Sequence, residues 1–264
     1  MARAICVIGN SHIGALKLGW ERLKGNYDHQ LSFLGVPGAH FRKLAVQDGK
    51  VVATTQISQR YFSKTMDTEA IALESYDAII VVAAGLGLLK TMELTDRWRP
   101  YWLLDDGALG ASAEFDLVST KVFEELVAAK VRKSFAHKFV SRISQQGAAA
   151  VLYMPTPLPS SDAKLRTQYT NPVLGLLTGA KGRELASVYF DAVEKVMRSE
   201  RVMRPPAHIL VDGAMTDSRY SRGSVRLDSE SDHPEHDLQH MNADYGALIL
   251  EAALDRLAGN SDWR

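Results

Sequence analysis

Residues Ala4-Ile5-Cys6-Val7-Ile8-Gly9-Asn10-Ser11-His12 decide how the whole chain is read. Five apolar residues in a row, closed by a glycine, predict a strand covered on both faces, the kind that parallel sheets use. Residues 12–23 then take up helical spacing, so strand passes into helix within three residues. That junction opens a βαβ unit. Apolar runs at 30–34, 77–83, 148–154 and 207–211 predict four more strands. Helical patterns lie between and after them: 67–75, with Asp67 or Thr68 as N-cap; 116–146, closed by Gly147; 181–201; and 243–257, ahead of Gly259. Strands alternating with helices predict an α/β fold built on one parallel sheet. Asp48-Gly49, between 43–47 and 50–56, predicts a hairpin. Insertions at about 88–115 and 155–180 follow strand ends, where the ligand crevice of an open α/β sheet lies. No repeat or linker divides residues 1–264, so a single domain is expected.

Composition narrows the function. Among 264 residues, 31 basic and 31 acidic side chains cancel, which argues against a general nucleic-acid binder. With 46% hydrophobic residues, global disorder is excluded. The single cysteine, Cys6, lies in an apolar run and reads as a small buried hydrophobe. No stretch approaches the ~20 apolar residues of a membrane span, and the first residues show no secretory pattern. A cytoplasmic protein is expected.

Two short segments carry chemistry. Gly9-Asn10-Ser11-His12 puts a serine where the first strand becomes a helix, beside amides suited to an oxyanion. Taken alone, Ser11 reads as a helix cap. Asp237-Leu238-Gln239-His240-Met241-Asn242 precedes the last helix. An Asp three residues before a His can hold the imidazole by Nδ1 and leave Nε2 free as a base. Asn242 reads as the cap of that helix.

Placed at the two ends of a βαβ chain, these segments resemble the blocks of the SGNH (GDSL-like) hydrolase superfamily. The resemblance implies a three-layer α/β/α sandwich with a five-stranded parallel sheet in the order 2-1-3-4-5. It implies acyl transfer through a serine ester with no metal or organic cofactor. Ser11 would be the nucleophile, His240 the base and Asp237 its orienting partner. Gly38 would donate its backbone N–H to the oxyanion, with Gly35 as the fallback. The substrate class implied is an O-acyl or O-acetyl ester of a carbohydrate, cleaved by water or passed to a glycan acceptor.

Two positions depart from the family pattern. Asn10 stands where an aspartate is usual. In Gly85-Leu86-Gly87, Gly87 stands where the oxyanion-hole asparagine is expected. Losing one such donor costs about 3–4 kcal/mol. The Gly87 backbone N–H could replace it, Asn171 could reach in from an insertion, or the chain is a slow or non-catalytic relative that binds a glycan or partner. Asn10, His40, Trp98, Trp102 and Asn171 are candidate crevice residues, with the two tryptophans read either as local core or as a stacking wall. In the loop 228–237, His233 and His236 sit among carboxylates, but Pro234 breaks the segment, so a solvated acidic loop is expected before a metal site.

Overall fold

A computed structural model describes residues 2–104, 115–147, 150–162, 173–198, 201–226, 233 and 237–259. Four parallel strands form the central sheet: β1 (Ala4–Gly9), β2 (Gln30–Gly35), β6 (Ala78–Val82) and β9 (Ala150–Met154), in the order β2-β1-β6-β9. Register is continuous across it, with Ile5 opposite Leu31 and Ala78, and Ile80 opposite Leu152. Successive side chains of a strand point to opposite faces, and here both faces are covered. Cys6, Ile8, Ile79 and Val81 pack with α3 (Gln56–Met66), α5 (Thr120–Lys133), α6 (Phe135–Gln146) and α8 (Gly179–Met197). Ile5, Val7, Ile80 and Val82 pack with α1 (Ile13–Leu23) and α9 (Ala243–Gly259). That is why the strands are continuous apolar runs. Cys6 is fully buried among them, and burial pushes its thiol up to about 12.

Smaller elements decorate this frame. The Asp48-Gly49 hairpin forms between β3 (Leu44–Gln47) and β4 (Lys50–Ala53), and β5 (Ala70–Ala72) adds to its edge. A one-turn helix, α2 (Gly38–Phe41), follows β2; α4 (Leu88–Met92) follows β6; and α7 (Val173–Leu176) precedes α8. β7 (Trp98–Pro100) pairs with β8 (Asp116–Val118), and β10 (Leu210–Val211) with β11 (Met215–Thr216).

Three expectations are corrected. Residues 207–211 do not join the sheet. Ala207–Ile209 is a single 3-10 turn, and Leu210 and Val211 pair antiparallel with Thr216 and Met215. Among the described residues, parallel pairing beyond β9 is a single bridge from Tyr153 to Val202. Pro205 and Pro206 follow, and proline has no N–H to continue a ladder. The helix expected at 67–75 is displaced. Thr55 caps α3, and Asp67, left-handed at φ 50°, ends that helix instead of starting one. The long helix at 116–146 is two helices: Asp116–Val118 is a strand, Ser119 caps α5, and Ser134 breaks the run and caps α6 through the His137 N–H. Among the described residues no helix is long and apolar enough to cross a membrane.

Candidate active site

Three expected residues meet at the carboxyl edge of the sheet, although 229 positions separate the serine from the histidine. Ser11 lies in the turn between β1 and α1. His240 lies just before α9. Ser11 Oγ is 2.8 Å from His240 Nε2, and His240 Nδ1 is 2.6 Å from Asp237 Oδ2. A carboxylate at Nδ1 fixes the tautomer: Nδ1–H donates to Asp237 and Nε2 accepts from the serine hydroxyl. The second oxygen of Asp237 accepts the backbone N–H groups of Gln239 and His240. Burial pushes the Asp237 carboxyl up, but the hydrogen bonds from His240 and the two amides outweigh it and hold the group well below the usual carboxylate range.

Packing holds these segments in place. Leu238, fully buried, is anchored in the core on one face of the sheet, and Met241 in the core on the other. Asn242 caps α9 as expected, accepting the N–H groups of Asp244 and Tyr245, while its amide donates to the carbonyls of Arg219 and Arg222. Helices α1 and α9, whose starts follow Ser11 and His240, cross on Gly19 and Gly246. A Cβ at Gly246 would lie 1.8 Å from the Ala15 carbonyl oxygen, and one at Gly19 2.2 Å from the Ala247 nitrogen. Such a crossing needs glycine at both positions.

Two more imidazoles sandwich His240, an arrangement the sequence reading missed. His12 stacks on one face, centroids 4.8 Å apart, and His233 on the other, at 3.9 Å and 11°. His233 Nδ1 also lies 3.4 Å from Asp237 Oδ2, so two imidazoles share one carboxylate oxygen. The i, i+4 spacing of His233 and Asp237 was the available signal. His233, Asp237 and His240 offer ligand atoms within 4.8 Å of one another. Near-parallel rings send their in-plane lone pairs side by side, whereas a tetrahedral metal needs donors that converge. The donor set suits a hydrogen-bonded stack better than a metal centre. His236 lies outside the described residues.

His12 is buried, and its Nδ1 has no hydrogen-bond partner among the described residues. Burial, reinforced by His240, pushes its pKa down from 6.5 to about 3. Its folded pKa is below its unfolded one, so between those values the unfolded chain binds the extra proton. Stability therefore falls as pH drops from 6.5 toward 3, with a slope of at most about 1.4 kcal/mol per pH unit from this group. We expect urea unfolding midpoints between pH 7 and 4 to fall less steeply in His12→Gln than in the wild type. Equal slopes would mean that His12 takes up its proton without unfolding.

Two cavities flank these three residues. The larger, about 240 Å³, is lined by Ser11, His240, His233, Tyr61, Lys64 and Arg226, with Gly35 and Pro37 at the end of β2. The smaller, about 140 Å³, is bounded by Asn10, His12, Gly85, Gly87, Thr156 and Gln239. Asn10 is buried, and its side-chain oxygen accepts the His12 N–H.

The loop after β6 that closes the smaller cavity is strained. Ala83, Ala84 and Gly85 are all left-handed, at φ 61°, 50° and 75°, a costly conformation for alanine. The Tyr153 hydroxyl donates to the Ala83 carbonyl, and Thr156 and Tyr189 donate to that of Leu86. A Cβ at Gly87 would come within 3.0 Å of Thr156 Cβ. Thr156 thus fills the space that a side chain at position 87 would need. The Ser11, Gly38 and Gly87 N–H groups have no acceptor among the described residues.

The remaining candidates are scattered. Gly38 opens α2, exposed, and lines neither cavity, whereas the fallback Gly35 lines the larger one. His40 stacks on Tyr61, one layer behind the cavity wall. Trp98 lies under the Arg97 guanidinium, and Trp102 packs edge-on against Phe123. Both tryptophan rings are used in local packing and line neither cavity. Asn171 lies outside the described residues. Compared with models of known protein families and with curated protein sequences, the chain matches none.

Proposed function

We propose that this protein is a serine-dependent ester hydrolase of SGNH type, with Ser11, His240 and Asp237 as its triad. The observation that carries this reading is the unbroken chain Ser11 Oγ–His240 Nε2, His240 Nδ1–Asp237 Oδ2, at 2.8 and 2.6 Å, opening onto a cavity that reaches the nucleophile. A serine used only as a helix cap needs neither partner. The sheet order, with Val202 bridging Tyr153 in place of a full fifth strand, is compatible with the 2-1-3-4-5 arrangement of that superfamily.

In this reading His240 takes the Ser11 proton as Oγ attacks the ester carbonyl. Asp237 stabilises the imidazolium that results. The proton passes from Nε2 to the departing alcohol, leaving a serine ester. Water, deprotonated by the same nitrogen, then releases the acid and restores Ser11. Backbone N–H groups of Ser11 and Gly87, with one from the β2 turn at Gly35 or Gly38, supply the oxyanion donors in place of the family's asparagine. An acceptor alcohol in place of water would make the same residues an acyltransferase. The carbohydrate ester implied by the resemblance gains no stacking wall from Trp98 or Trp102.

The test is covalent labelling. A fluorophosphonate should modify the protein at one site, and mass spectrometry should place the adduct on the peptide containing Ser11. Labelling elsewhere, or equal labelling of Ser11→Ala, would remove Ser11 from the role.

A further inference from the structure

The larger cavity has a charge pattern that hydrolysis of a neutral ester does not require. Lys64 comes from the last turn of α3 and Arg226 from a segment 162 positions later, yet both line the cavity that contains Ser11 and His240. Tyr61 adds a hydroxyl to the same wall, and among the described residues none that lines the cavity is a carboxylate. Neither Lys64 nor Arg226 has a carboxylate partner among the described residues. Elsewhere this net-neutral chain pairs many of its cations: Lys195 with Glu125, Lys90 with Glu93, Arg204 with Asp191 and Glu194. A lysine near a helix C-terminus is favourable by itself. That does not account for an arginine from a distant segment facing the same space, because two like charges there repel. An anion in the cavity that both cations line reverses the sign of the interaction.

We infer that this cavity is an anion-recognising subsite, and that the ester cleaved at Ser11 carries a carboxylate or phosphate close to its acyl bond. Arg226 offers a planar fork suited to either group, and Lys64 a point charge. The inference rests on the hydrolase reading and deepens it by giving its substrate a charge.

Two substrate pairs test it. The first is 4-nitrophenyl hydrogen glutarate against its neutral methyl ester, which puts a carboxylate on the acyl side. The second is O-acetylglycerol 3-phosphate against monoacetylglycerol, which puts a phosphate on the alcohol side. We expect kcat/KM to favour the anionic member of at least one pair by about tenfold. That ratio should approach one in Lys64→Met/Arg226→Gln and in 0.5 M salt, by about the factor that screening predicts. The pair that shows the preference identifies which side carries the anion. Ratios near one in both pairs, with neutral-ester hydrolysis still dependent on Ser11, overturn the anion subsite and leave the hydrolase reading intact. If no ester is turned over, the hydrolase reading falls and the anionic ester with it. Glutarate or inorganic phosphate binding, measured by calorimetry on wild type and double variant, then decides whether the subsite stands alone. Absence of binding overturns that too.

Discussion

His240→Ala should lower kcat/KM for an activated ester by about 10⁴- to 10⁶-fold without unfolding the protein. The imidazole is the only group within hydrogen-bond distance of Ser11 Oγ among the described contacts, so no second base takes over. Ser11→Ala should cost the same, and the double variant should cost no more than either single one, because the two residues act as a unit. Asp237→Asn should cost about 10⁴-fold, since an amide at Oδ2 permits the wrong tautomer at Nδ1. Steady-state kinetics with 4-nitrophenyl acetate, alongside circular dichroism of each variant, checks all four. Activity of His240→Ala within tenfold of wild type would mean that the short Ser11–His240 contact is structural.

The second large effect lies away from the chemistry. Glycine inside a helix is normally about 1 kcal/mol worse than alanine, so Gly246→Ala in an unencumbered α9 would stabilise the protein. At this crossing the sign reverses. The new Cβ would overlap the backbone of Ala15 and Leu16, and backbone cannot rotate away. We expect a loss of about 3 kcal/mol or more, at the upper end of overpacking effects. Separation of α1 from α9 should also part Ser11 from His240, so kcat should fall in the fraction that remains folded. Gly25→Ala, whose Cβ meets nothing within 4 Å, is the control and should be near neutral. Equal midpoints for Gly246→Ala and wild type in urea would show that the helices can slide apart at little cost.

Much of this is legible in the amino-acid sequence. Apolar runs bounded by turns named β1, β2, β6 and β9, because a strand buried on both faces has little choice but to be apolar throughout. The hairpin at Asp48-Gly49, the cap at Asn242 and the pairing of Asp237 with His240 follow from short-range stereochemistry, which neighbouring residues carry in full. The residues that combine with Ser11 were legible because their types and spacing state their chemistry.

What remained hidden depends on contacts between distant segments. An apolar run at 207–211 looks like a strand, but Pro205 and Pro206 and the edge position leave, among the described residues, only Val202 on the sheet. Amphipathic spacing runs through Ser134, and only the packing of α5 and α6 as separate helices turns that serine into a cap. Nothing in the spacing of Thr156 and Gly87 indicates that one fills the place of the other's missing side chain. Nor does the sequence set His12 and His233 against the two faces of His240, or bring Lys64 and Arg226 to one cavity. By itself, the sequence determined which residues could do the chemistry. Only the tertiary structure decided which of them meet, because burial, stacking and close approach are set by elements far apart in the chain.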